Sequence, residues 1–399
     1  MFTRVLPAGL RLLLVGALNL TAWPAVPAAA QSPGEPPVQS PAPAPAPAAP
    51  WYQDLSVNGL VEGSWVFNTN APASRTNQFR VFDTDDRSLT LDEVELVLQR
   101  AIATPGQVGF RVDATFGATV PRVTASAGLF RDADGDAGDF DVHQAYLSYI
   151  APAGRGLRIA LGKFATHVGY EVINGYDGFN DHHSRGLLFG YAQPFTHTGV
   201  RVSYAFTDAV SGQVLLVNGW DNAVDNNTGK TIGVQLAVAP SHAFTLTANY
   251  VGGPEQPDTN AHGRHLIDLV AIGRPTASLA LGANYDCGRE AAVALPETAG
   301  GGVRDARWQG LAAYGRLGLT ARTALSLRGE VFDDPQGART GYAQTLSEFT
   351  LTPEFRPRPS FIVRGDLRFD RSNRAVFERN DGSLGTTQFT VSLNALVVF

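Results

Sequence analysis

Lysine is nearly missing from this 399-residue chain: Lys163 and Lys230 stand against 29 arginines. Methionine occurs once, as the first residue, and cysteine once, as Cys287. A single cysteine excludes an internal disulfide framework and any cysteine-rich metal site. The formal net charge of -6 is the wrong sign for a basic binding face, so no nucleic-acid partner is expected. Beyond residue 30 no stretch supplies the roughly 18 consecutive apolar residues of a spanning helix. No segment of useful length keeps a helical period either. Mean hydropathy is -0.06, as in an ordinary water-soluble composition.

The N-terminus carries targeting information. Arg4 and Arg11 lead into the apolar run LLLVGAL, and Ala28 and Ala30 make a small-residue A-x-A site before Gln31. This predicts a secretory signal peptide over 1–30. Residues 31–50, QSPGEPPVQSPAPAPAPAAP, are rich in proline and alanine. Proline fixes its own φ and lacks a donor, so an extended linker is expected there, with one folded domain over 51–399.

Past residue 55 the dominant period is two. In VGFRVDATF, Val108, Phe110, Val112, Ala114 and Phe116 fall on one face, and Gly109, Arg111, Asp113 and Thr115 on the other. Sixteen such segments are predicted, ending with 387–399. Their connections alternate short and long, the long ones being 68–88, 117–139, 166–198, 220–230, 253–264, 287–307, 334–342 and 371–386. A soluble sandwich has no reason to sort its loops by length. A transmembrane barrel does, with short periplasmic turns and longer outer loops. The fold class expected is therefore all-β: a transmembrane antiparallel β-barrel of sixteen strands in the outer membrane of a Gram-negative envelope. Outer-membrane lipid and lipopolysaccharide would surround it. Aromatic residues support two interfacial girdles. Trp65, Phe67, Phe116, Trp220, Tyr250, Tyr285, Phe332 and Phe369 border long loops, and Tyr149, Tyr204, Phe206 and Phe399 border the other end.

Strand parity assigns Glu93, Glu95, Arg111, Asp113, Arg158, Arg201, Arg328, Glu330, Arg364, Asp366 and Arg368 to the pore lining. Charge is tolerated there because water fills a lumen, whereas a lipid-facing charge costs a few kcal/mol at mid-depth. These side chains could filter solutes by charge or simply solvate the wall, and parity alone does not choose. The long third connection, 166–198, is expected to fold into the lumen as a constriction loop, by analogy with known sixteen-stranded outer-membrane barrels. Its apolar Leu187, Leu188, Phe189, Tyr191 and Phe195 would pack on the inner wall. Asp177, Asp181, His182, His183 and Arg185 would turn to the channel. SRGLLFGYA within it suits a short helix with Ser184 as N-cap.

Other motifs fail on spacing. His167, His182, His183 and His197 share that connection with Glu171, Asp177 and Asp181 but show no metal-ligand spacing, and no metal or other cofactor is expected. DADGDAGDFD at 132–141 lacks the glycine and glutamate of a calcium loop, since Ala137 and His143 stand in their places. NTGKT at 227–231 has Val224 where a phosphate loop needs glycine. No G-x-S-x-G and no spaced Ser–His set is present, so no catalytic residue is assigned and no enzyme is expected.

Several stretches carry a family resemblance. FDVHQAYLSYIAPAGRGLRIALGKFATHVGYE at 140–171 is similar to the OmpL-like β-barrel porins. So are FRVFD at 79–83, PFTHTGVRVSY at 194–204, NGWDNAVDNNTGKTIG at 218–233 and YVGGPEQ at 250–256. The terminal Phe399 on an alternating strand resembles the signal read by the barrel-assembly machinery, an expected partner. The resemblance implies an outer-membrane porin passing small hydrophilic solutes by diffusion, and supplies no binding residues. An anion-preferring, substrate-selective channel and a non-conducting structural or adhesive barrel stay open as alternatives. A homotrimer is compatible with the sequence, which does not decide it.

Overall fold

The computed structural model describes residues 51–121, 123, 128–130 and 137–399. The expected signal peptide over 1–30, the linker over 31–50 and much of the acidic 132–141 stretch lie outside the described residues.

Alternation of side chains produces strands almost throughout. They are β1 (Leu55–Asn68), β2 (Leu89–Arg100), β3 (Val108–Phe116), β4 (Phe140–Ala151), β5 (Leu157–Ala165) and β6 (Thr196–Ala205). Then come β7 (Val210–Val217), β8 (Thr231–Ser241), β9 (Phe244–Pro254), β10 (Gly263–Gly273), β11 (Leu279–Ala294) and β12 (Val303–Gly318). The last are β13 (Thr323–Asp334), β14 (Gln344–Arg358), β15 (Phe361–Ser372), β16 (Phe377–Glu378), β17 (Leu384–Gly385) and β18 (Thr387–Val398). β1 to β15 and β18 close into one antiparallel barrel of sixteen strands. β16 and β17 form a separate two-stranded ribbon. Each of the sixteen predicted segments is one barrel strand. Among the described residues no helix is long and apolar enough to cross a membrane.

Closure follows from backbone chemistry. In hydrocarbon an unpaired N–H or C=O is costly, so the sheet must have no edge. β1 meets β18 from Leu60 opposite Val398 to Asn68 opposite Thr390. Phe399 extends the ladder: its N–H reaches the Gly59 carbonyl at 3.0 Å, and its own carbonyl accepts from Gly59 N–H at 2.9 Å. Glycine is required at 59 because a Cβ there would lie 2.6 Å from the Phe399 ring and 2.5 Å from the Glu95 carbonyl.

The outward positions are apolar and exposed, as a lipid face must be. Val112, Leu281 and Leu393 are 37%, 47% and 58% exposed, while Arg111 and Asp113 on either side of Val112 are buried inward. Trp65, Phe116, Tyr250, Tyr285 and Phe369 are exposed near one set of strand ends, and Tyr149, Phe206 and Phe399 near the other. Two girdle assignments are corrected. Trp220 and Phe332 are buried. Phe332 follows the outward Val331 and so has inward parity, while Trp220 lies past the end of β7. Both join a cluster with Leu188 and Trp308. The 287–307 stretch is also mostly strand, because β11 runs to Ala294 and β12 begins at Val303. Beyond the apolar band a strand needs no greasy face, so the alternation that marks strands in lipid disappears.

Candidate functional site

Segment 166–195, between β5 and β6, is fastened to inward-facing side chains around much of the barrel. Gly169 N–H donates to Asp268 of β10 at 3.2 Å, and Tyr170 N–H to Asn284 of β11 at 3.0 Å. Asn174 donates to Glu62 of β1 at 2.8 Å, and Tyr176 N–H to Glu95 of β2 at 2.8 Å. Ser184 gives both its N–H and its hydroxyl to Asp366 of β15, each at 2.7 Å. Leu187 N–H bonds Glu330 of β13. Backbone groups without a strand partner need such acceptors when buried.

Three strand arginines bracket the segment through its carbonyls. Arg328 donates to Ser184 O at 2.7 Å and to Glu171 at 2.8 Å, while holding Glu348 at 2.8 Å. Arg364 bonds Asn180 O and pairs with Glu62 at 2.8 Å. Arg368 donates to Arg185 O at 2.5 Å and to Asp370 at 2.8 Å. A guanidinium can do this because its fork presents several donors in one plane, serving a carboxylate and a carbonyl together. These arginines are buried and neutralised, so they act as fasteners.

The apolar part of the segment is packed too. Leu187, Leu188 and Ala192 lie in a cluster with Trp220, Trp308 and Phe332. Phe189 and Phe195 pack with Phe82 from the first long connection. FRVFD within it carried only a family resemblance in the sequence, without a role at this site, yet its Arg80 pairs with Asp370 at 2.5 Å and Asp83 at 3.1 Å. A π-helical turn spans Leu188–Ala192. It has no side-chain cap, and Ser184, expected as its N-cap, is occupied by Asp366.

The five charged residues expected to face the channel divide. Asp177 lines a cavity of about 280 Å³ and pairs with Arg111. Asp181 pairs with Arg316 of β12 at 2.9 Å and is half-buried. His182, His183 and Arg185 are buried against the wall and are not among that cavity's lining. His182 Nδ1 meets Thr352 Oγ1 at 2.6 Å, and burial with Arg328 nearby pulls its pKa down to about 3. His183 lies 3.6 Å from Glu62. Burial opposes its charge, but Glu62, Asp92 and Asp366 outweigh that and raise its pKa. The same burial thus acts on two adjacent imidazoles whose charged neighbours shift them in opposite directions.

The cavity lies between the segment and the wall of β2 to β7. Its lining includes Glu95, Arg111, Tyr146, Arg158, Arg201 and Gln213. Arg111 is committed to Asp113 at 2.7 Å and to Asp177. Arg158 and Arg201 are half-buried, and among the described residues neither makes an ion pair. The Arg201 guanidinium sits over the Phe164 ring at 4.6 Å instead. Glu93 and Asp113 are buried on the inner wall nearby.

A closed sixteen-stranded barrel with an apolar outside and a charged inside agrees with what family comparison finds. The family model described as "Putative beta-barrel porin-2, OmpL-like" matches residues 54–399. This chain belongs to that family. It is an outer-membrane porin, a channel for passive diffusion. No curated protein sequence matches it. Among solved structures this porin is similar to Salmonella typhi OmpF in complex with daunomycin, at 15% identity and TM-score 0.57, covering 87% of this chain and 99% of that one. It is similar to the anion-selective porin from Comamonas acidovorans, at 12% identity and TM-score 0.57, covering 86% and 99%. The trimer form of Vibrio cholerae OmpT is similar at 10% identity and TM-score 0.53, covering 86% and 99%. At these identities the likeness is one of fold.

Proposed function

We propose that segment 166–195 folds into the lumen as the constriction of this porin, and that small hydrophilic solutes pass on one side of it, along β2 to β7. The narrow zone then carries Arg158 and Arg201 on the wall and Glu95 and Asp177 across from them. A fixed charge acts most strongly where a pore is tightest and water scarcest. Because Arg111 is already paired and the two other arginines are not, the zone favours small anions over cations. The observation that carries this reading is the cavity lined by two arginines without carboxylate partners among the described residues. No catalytic step is assigned to any residue. Residues 1–30 are read as the export signal and 31–50 as a linker. The assembly is read as a homotrimer, a form named for OmpT.

The test is single-channel recording in planar bilayers under a salt gradient. Arg158→Glu with Arg201→Glu should move the reversal potential toward cations, and deletion of 176–190 should raise conductance and relax size exclusion. Unchanged reversal potential in the first variant would refute the anion preference. Unchanged conductance in the second would refute the constriction.

A further inference from the structure

The inner wall around β2, β3 and β4 holds more carboxylate than its cations neutralise. Asp92, Glu93, Glu95, Asp113 and Asp141 are all buried there. Arg111 is used by Asp113 and Asp177, and Lys163 by Asp141 at 2.8 Å. Among the described residues Glu93 and Glu95 make no ion pair. Beside them is His143, only 7% exposed, with neither ring nitrogen hydrogen-bonded among the described residues. A buried imidazole without a partner on either side is unusual, because each unmet polar atom carries a desolvation cost.

The backbone explains how the ring comes to be there. The β3–β4 register shifts between Asp113 opposite Gln144 and Ala114 opposite Val142, so His143 is the extra residue of a β-bulge. A bulge lets two successive side chains point the same way and re-aims one of them. His143 and Gln144 thus both face inward, and Gln144 donates to Asp113 at 2.6 Å. The slip is visible in the sequence FDVHQAYLSY: outward Phe140 and Val142 are even, outward Ala145, Leu147 and Tyr149 odd. A second bulge, between Glu62 and Gly63 on the β1–β2 pair, puts Asp92 inward beside Glu93.

A ligand nitrogen of His143 and carboxylate oxygens of Glu95 and Asp113 lie within 4.8 Å of one another. A cavity of about 20 Å³ adjoins His143, Glu93 and Asp141, room enough for about one water. Glu95 and His143 also border the larger cavity, which gives an ion access from the lumen.

We propose that Glu95, Asp113 and His143 bind a divalent transition-metal ion on the inner wall, with water completing its coordination. One imidazole and two carboxylates suit zinc, copper or nickel, and the imidazole disfavours calcium and magnesium, which take oxygen ligands. The existing bonds orient the donors. Tyr176 N–H fixes one oxygen of Glu95, and Arg111 with Gln144 fixes Asp113. The metal supplies the charge that Glu95 lacks and the partner that His143 lacks. The site stands whichever solute the porin conducts.

The test uses the full-length porin folded in detergent, stripped with a chelator and titrated with Zn²⁺ by calorimetry, and with Co²⁺ by visible absorption. One saturable site per barrel is expected, with Ca²⁺ binding far more weakly. His143→Ala and Glu95→Gln should each weaken Zn²⁺ by at least about a hundredfold, since losing a ligand costs no less than losing an outer-shell partner. His265→Ala, at a half-buried histidine hydrogen-bonded to Tyr250 away from the site, should leave it unchanged. Heat-dependent gel mobility confirms that each variant is folded, and near-isosteric Glu95→Gln gives the answer if His143→Ala fails to assemble. Absence of a saturable site, Zn²⁺ affinity in the two ligand variants unchanged from the parent, or calcium binding as tight as zinc would each overturn the proposal.

Discussion

Replacing Arg328 by methionine should free segment 166–195 while leaving the barrel closed. Besides a longer bond to the Ser184 hydroxyl at 3.2 Å, Arg328 makes two short charge-assisted bonds to that segment, to the Ser184 carbonyl at 2.7 Å and to Glu171 at 2.8 Å. At about 1.5–3 kcal/mol each, their loss weakens docking by about 3–6 kcal/mol. Tenfold in a population corresponds to about 1.4 kcal/mol. Release should therefore become about two to four decades more frequent. Methionine keeps the stem's apolar contacts without the charge, and the strand ladders of β13 with β12 and β14 are untouched. Trypsin reports the change, because Arg185 is the sole lysine or arginine in 166–195 and is buried when docked. Cleavage between Arg185 and Gly186, followed by mass spectrometry of liposome-reconstituted protein, should speed up by orders of magnitude in the variant. If the Arg185 cut is as slow in Arg328→Met as in the parent, while both keep their heat-dependent gel shift, the fastening role assigned to Arg328 is wrong.

Two further outcomes follow from the same structure. Val112→Arg or Leu281→Arg places a charge on the lipid face at about 2–4 kcal/mol near mid-depth, so the folded fraction in liposomes should drop; yields equal to the parent would show the face assignment to be inverted. Asp221 lies outside the strands and accepts N–H groups from Phe195 at 2.6 Å and Thr196 at 2.9 Å. Burial raises its pKa from 3.8 to about 6, against the pull of those bonds. A raised carboxyl contributes fully below its unfolded pKa and loses that contribution as pH climbs through the folded value. Asp221→Asn keeps the uncharged form throughout, so it should raise the thermal midpoint above pH 6 and match the parent below pH 3.8. An equal shift at both ends would remove the ionisation argument.

The strands were legible because lipid imposes the alternation directly: a residue such as Val112 must be apolar and Arg111 must not face outward. Where lipid ends, the rule ends, which is why β11 and β12 run on through CGREAAVA and VRDAR unannounced. The long third connection was legible as an element but its side chains were not. Whether His182 faces water or Thr352 depends on a partner 170 positions away, and local pattern carries no trace of it. The lumen charges show the same limit. Parity puts Arg158, Arg201, Arg328, Arg364 and Arg368 on one inner surface, yet only pairing separates the fasteners from the arginines left facing the cavity. His143 had a local signature, the parity slip at 142–145, that alternation counted strand by strand passes over.

The seam between β1 and β18 also sets an order of assembly. Apart from β15 with β18, which flank the β16–β17 ribbon, the other barrel pairings join strands successive in the chain, and each closes a loop far shorter than the seam does, the longest being 166–195. The seam joins Leu60 to Val398, across nearly the whole domain, and contacts of such separation form late. Until then β1 and β18 are both raw edges, able to pair with any exposed strand. The barrel is therefore most vulnerable when nearly complete, and a helper that guarded those two edges would act at the step that matters most.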